Sequence, residues 1–86
     1  MKARDRRAEL ELADLEAEVA ATRLPPVSER SQIRSRAGVS IRRAAAAIDV
    51  SPMSISRWER GEATPRADNA RLYVRLLETL QEAVRV

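Results

Sequence analysis

Between Arg4 and Arg23 the positions Ala8, Leu12, Leu15, Val19 and Thr22 recur at a 4-3-4-3 spacing. Charged residues fill most of the intervening positions. The pattern predicts an amphipathic helix with one apolar stripe, Leu12-Leu15-Val19, which also fits a short coiled-coil seam. Two to three heptads are too short to stand alone. The stripe must therefore pack on the body of its own chain, on the same helix of a second copy, or on another protein. Pro25-Pro26 then breaks the helix and forms a stiff joint.

Four further helices follow. The second is expected from about Ser28, read as its cap, to Ala37, with Ile33 and Ala37 facing inward and Gly38 closing it. The third is expected from the capping Ser40 to Ile48, burying Ala44, Ala45 and Ile48. The run Ala44-Ala45-Ala46-Ala47 lets another helix approach closely, and Asp49 falls where the chain must turn. The fourth carries the clearest signals: Ser51 as cap, Pro52 at the first helical position, and Gly61 after the end. Its Ile55 and Trp58 share an inward face, leaving Met53, Ser54 and Arg57 to face outward. The fifth is expected to start at a Thr64 cap with Pro65 behind it. Leu72, Leu76, Leu80 and Val84 repeat every four residues along it, with Tyr73 and Leu77 beside them.

Composition supports the all-α class. Fifteen of the 86 residues are alanine, Phe is absent, and Trp58 and Tyr73 are the only aromatics. Without cysteine or histidine there is no disulfide, no thiolate or imidazole metal ligand, and no imidazole base. Only two glycines are present, too few for a glycine-rich phosphate loop, and Lys2 is the only lysine. The carboxylates lie at helix-surface spacing beside arginines, as ordinary ion pairs do. An enzyme is therefore not expected, and neither a cofactor nor a metal is implied. No apolar run approaches a membrane span, and the start lacks an apolar signal core, so a cytoplasmic protein without membrane contact is expected.

The net charge of +3 is unevenly spread. Residues 1–23 carry a net −1, residues 24–61 a net +4, and residues 62–86 are neutral. A basic middle third is the footprint that a phosphate backbone attracts, although an arginine-rich solvated surface has the same composition.

Two short helices joined tightly, with small residues at their crossing, describe a helix-turn-helix, but physics alone also allows any small helical bundle. The string from Val39 through Val50-Ser51-Pro52-Met53-Ser54-Ile55-Ser56-Arg57-Trp58-Glu59-Arg60-Gly61, followed by Thr64-Pro65, is more specific. It resembles the Cro/phage-repressor, or XRE-like, helix-turn-helix family, from about Ile33 to Leu77. The resemblance implies a compact lambda-repressor-like bundle, here with an added N-terminal amphipathic helix and an extended C-terminal helix. The implied organisation is an N-terminal helix over 1–24, a joint at 25–27, a DNA-binding domain over 28–77, and a helical extension over 78–86.

The same resemblance implies that helix 51–60 enters the major groove. Pro52, Met53, Ser54, Ser56 and Arg57 would meet base edges, with Arg57 suited to fork onto guanine. Ser40, Arg42, Arg43 and Arg60 would meet phosphates. Arg34 and Glu59 would form a structural ion pair. The chain departs from the family pattern in having Ile41 where glutamine often touches the backbone, and Asp49 where glycine is usual. The terminal helices, through Leu12, Leu15, Val19, Leu76, Leu80 and Val84, would hold a second copy or a partner protein. The implied function is a sequence-specific regulator of transcription bound to double-stranded DNA, acting as a homodimeric repressor. Two alternatives use the same domain: an antitoxin or adaptor whose terminal helices grip a partner, and a recombination accessory factor that bends DNA.

Overall fold

Ser40 and Ser51 each turn a side-chain oxygen onto the first turn of the helix that follows. Ser40 Oγ accepts from the Arg43 amide at 3.0 Å, and Ser51 Oγ accepts from the Ser54 amide at 3.1 Å. The computed structural model describes residues 2–85, with side chains from Asp5 onward. Among them are five helices: α1 Lys2–Ala21, α2 Val27–Arg36, α3 Ile41–Ala47, α4 Pro52–Arg60 and α5 Asp68–Val84. No strand occurs among the described residues, and the fold is the all-helical bundle expected.

α2, α3 and α4 close in the same way. In each, one amide after the helix reaches the carbonyl five residues back, and the amide before it reaches the carbonyl three residues back: Val39 to Arg34 and Gly38 to Ser35, Val50 to Ala45 and Asp49 to Ala46, Glu62 to Arg57 and Gly61 to Trp58. This closure needs a left-handed residue. Asp49 supplies it between α3 and α4 at φ 56, a conformation that Asp tolerates better than most residues with a Cβ.

Gly61 supplies it after α4 at φ 73, and a Cβ built there would lie 3.2 Å from Val27 Cγ1. Gly61→Ala is therefore expected to destabilise the fold by about 1–2 kcal/mol from backbone conformation alone, with crowding against Val27 adding to it. Chemical denaturation of the variant checks this.

Two expected caps are corrected. Ser28 does not cap α2, which starts one residue earlier behind Pro26 with no side-chain cap bond. Val27 is drawn into the helix, where its side chain lies beside Gly61 at the end of α4. Thr64 and Pro65 do not open α5 either. That helix starts at Asp68, after Ala67 at φ 51. Pro65 is buried and Ala63 packs against the core, so burial holds this segment in a loop that its local sequence would have made helical.

The main core joins Ile33 of α2, Ala45 of α3, Ile55 and Trp58 of α4, and Tyr73, Leu77 and Leu80 of α5. The Trp58 and Tyr73 rings meet at a centroid distance of 4.8 Å, tilted by 47°. The buried face of α5 is Ala70-Tyr73-Val74-Leu77-Leu80, not the Leu72-Leu76-Leu80-Val84 row. A four-residue step advances a helix by about 400°, so such a row drifts about 40° per step and leaves the core side.

α1 packs on α5 through small residues. Ala20, with Ala17 beside it, meets Ala70 and Val74, and Leu24 touches both this cluster and the main core. Glu16 and Arg71 pair across the contact at 2.9 Å. The stripe is on another face of α1 and stays open, with Leu12, Leu15 and Val19 each about half exposed (57%, 53% and 48%). The N-terminal half of α1 extends past the bundle. The radius of gyration is 14.4 Å, against about 12 Å for a compact chain of this length.

Candidate nucleic-acid interface

α4 divides cleanly. Ile55 and Trp58 are buried, while Pro52, Met53, Arg57 and Arg60 are exposed. The inward pair keys the helix into the core, so its other face is held outward without contributing to packing. Met53, at 56% exposure, is a large apolar side chain presented to solvent next to Ser51 and Pro52 at the helix start.

Two arginines of α2 hold α4 in place. Arg34 forks onto Glu59, with Nε donating to Oε2 at 2.5 Å and Nη2 to Oε1 at 3.0 Å. Both side chains are largely buried, at 15% and 7% exposure. The hydrogen bond to Glu59 raises the Arg34 pKa despite partial desolvation. Its Nη1 donates to the Val39 carbonyl at 3.0 Å, so one guanidinium ties α2, the turn before α3, and α4 together. Arg30 makes a second tie. Its Nε donates to the Pro25 carbonyl at 2.9 Å and its Nη1 to the Trp58 carbonyl at 3.1 Å. It thereby links the proline joint between α1 and α2 to the last turn of α4, where a cation also complements the helix dipole. Sequence reasoning did not single out Arg30, because nothing local marks an arginine whose partners lie 5 and 28 residues away.

Tyr73 lies under this network. Burial, with the Glu59 charge adding to it, pushes its phenol up to about 12. The hydroxyl is buried with no hydrogen-bond partner among the described residues.

The outward residues differ in how free they are. Ser54 Oγ lies 3.0 Å from Ser51 Oγ, within the cap. Ser56 Oγ accepts from Arg60 Nη1 at 2.5 Å. Arg60 also forks onto Glu62, Nε to Oε2 at 2.7 Å and Nη2 to Oε1 at 3.0 Å. That fork, with the Arg57 charge nearby, holds the Glu62 carboxyl below the usual carboxylate range. No hydrogen bond among the described residues engages the Arg57 guanidinium, so it is the less committed of the two exposed arginines of α4. Arg42 and Arg43, on α3, are exposed, and Ser40 is exposed with its Oγ occupied by the Arg43 amide. Glu62 was missed in the sequence, although an acid just past the glycine that closes α4 is placed to fold back toward Arg60.

The expected oligomer contacts separate. Leu12, Leu15 and Val19 are open, and Val84 is 45% exposed. Leu76 is partly buried against the main core. Leu80 is buried in the chain's own core at 8% exposure, so it is corrected from a surface contact to a core residue. An open groove between α1 and α5 is lined by Leu15, Val19 and Arg23 on one side and Leu72 and Arg75 on the other. No helix among the described residues is long and apolar enough to cross a membrane.

A family model described as helix-turn-helix matches residues 31–82. No curated protein and no solved structure matches the chain.

Proposed function

The chain belongs to the Cro/phage-repressor type of the helix-turn-helix family, whose members are DNA-binding regulators, and from that premise we propose that it is a sequence-specific regulator of transcription, a homodimeric repressor that reads the major groove with α4. One observation carries the reading. α4 is keyed inward by Ile55, Trp58 and the part-buried Arg34–Glu59 fork, while Met53 and Arg57 are exposed on its other face. A rigid helix with an uncommitted guanidinium is suited to base edges, where Arg57 forks onto guanine and Met53 meets a thymine methyl. Pro52, Ser54 and Ser56 complete the base-facing set, and Ser40, Arg42, Arg43 and Arg60 take phosphates.

Dimerisation supplies a second half-site about 34 Å away. The open stripe of α1, Leu12, Leu15 and Val19, offers apolar area to a second copy. Val84 and the edge of Leu76 offer a smaller patch on α5.

Selection of bound fragments from a genomic DNA pool by the intact chain tests the proposal. A few enriched, near-palindromic sequences with half-sites one helical turn apart are the expected result. A steep salt dependence with no enriched site would move the assignment to phosphate binding without readout, as in an architectural factor that bends DNA. No binding at all would overturn the DNA-reading function.

The open Leu12-Leu15-Val19 stripe also favours a second reading, an antitoxin or adaptor whose α1 grips another protein. Sedimentation separates the two: a dimer that covers the stripe supports the repressor, and a monomer that leaves it open supports the adaptor.

A further inference from the structure

The environment of Arg60 is unusual for a side chain assigned to a phosphate. Its guanidinium is exposed, yet Nε, Nη1 and Nη2 are all engaged before any ligand arrives. Two of the bonds form a parallel fork onto the Glu62 carboxylate, the geometry with which arginine also takes a phosphate. The backbone enforces the arrangement. The Glu62 amide is bonded to the Arg57 carbonyl at 2.9 Å, across the left-handed Gly61, and this folds residue 62 back along the last turn of α4. The carboxylate thus sits beside both exposed arginines of the candidate interface.

We propose that Glu62 is an internal stand-in for a DNA phosphate, which Arg60 must release before it can grip the duplex. The inference rests on the DNA-binding reading and deepens it, by assigning to an acidic residue the restraint of the electrostatic part of binding. In the free protein the fork satisfies Arg60. In a complex the same donors serve a phosphate, while the freed carboxylate repels the strand. Either effect weakens binding to any duplex, whatever its sequence.

Binding of the full chain and of Glu62→Gln to a short mixed-sequence DNA duplex, across a salt series, tests this. Glu62→Gln keeps the shape and removes the charge. It is expected to bind about five- to tenfold more tightly near 0.1 M salt and to steepen the slope of log K against log salt by about 0.9, as one added phosphate contact does. The gain should shrink markedly in the Arg60→Ala background, because without Arg60 there is no fork to release and only the repulsion of the strand by the carboxylate is relieved. An equal gain in that background would overturn the inference, since Glu62 would then act only as a background charge. Unchanged or weaker binding by Glu62→Gln would also overturn it, and would show that the fork instead presents Arg60 to the strand. If neither the full chain nor the variant bound DNA, the DNA-binding reading itself would fail and take this inference with it.

Discussion

Glu59→Ala is expected to lower the stability of the fold by about 3–5 kcal/mol, because it strands the Arg34 guanidinium in a largely buried site. Both bonds of the fork are lost together, and little water reaches the vacated place, given exposures of 15% for Arg34 and 7% for Glu59. A domain this small holds only a modest margin, on the order of 5 kcal/mol. The variant should therefore melt at least ~12 °C lower, or be largely unfolded at room temperature, as circular dichroism reports. Arg34→Ala is expected to cost a similar amount, since it also removes the bond to the Val39 carbonyl. The double variant is the informative one. With both charges gone no buried ion is left unpaired, so its loss should fall below the sum of the singles by about 1–3 kcal/mol. Additive losses would mean that the fork is well hydrated and that its two charges are not coupled.

That pair also shows what was legible in the sequence and what was not. The partners are 25 residues apart, and the pairing was available in advance only through the family resemblance. The limits of α4, by contrast, were legible from local chemistry. Ser51, Pro52 and Gly61 each act within one turn of where they stand, and tertiary packing agrees with them. At Thr64-Pro65 the same kind of signal misled, because burying Pro65 and Ala63 outweighs a cap worth only about 1 kcal/mol. On α1 the apolar stripe was plain, but the face that docks is the one bearing Ala17 and Ala20. Small residues carry a weak signal in a periodicity search, yet they permit the closest approach of two helices. Arg30 and Glu62 escaped for a related reason: the partners of Arg30 are brought near only by the fold, and Glu62 reaches Arg60 only by the way the chain folds back across Gly61.

Arg57→Ala is expected to reduce affinity for the selected sequences about ten- to hundredfold while leaving affinity for mixed-sequence DNA almost unchanged, as removal of one bidentate guanine contact would. The fold should survive, because the side chain is exposed and engaged in no hydrogen bond among the described residues; surface changes of this kind stay within about 0.5 kcal/mol. Unaltered melting therefore makes the binding loss interpretable. Arg57→Lys then separates base readout from phosphate contact. Lysine keeps the charge but lacks the planar fork, so under base readout it should leave mixed-sequence binding unchanged and fail to restore selectivity. If alanine instead weakened binding to every duplex and lowered the salt slope by about 0.9, and lysine restored both, Arg57 would be gripping the backbone. Sequence readout would then have to come from Met53 and the serines of the first turn, of which Ser54 is already tied to Ser51. So few groups could not discriminate well as a monomer, and that outcome would place most of the specificity on the spacing of two half-sites, and hence on the dimer.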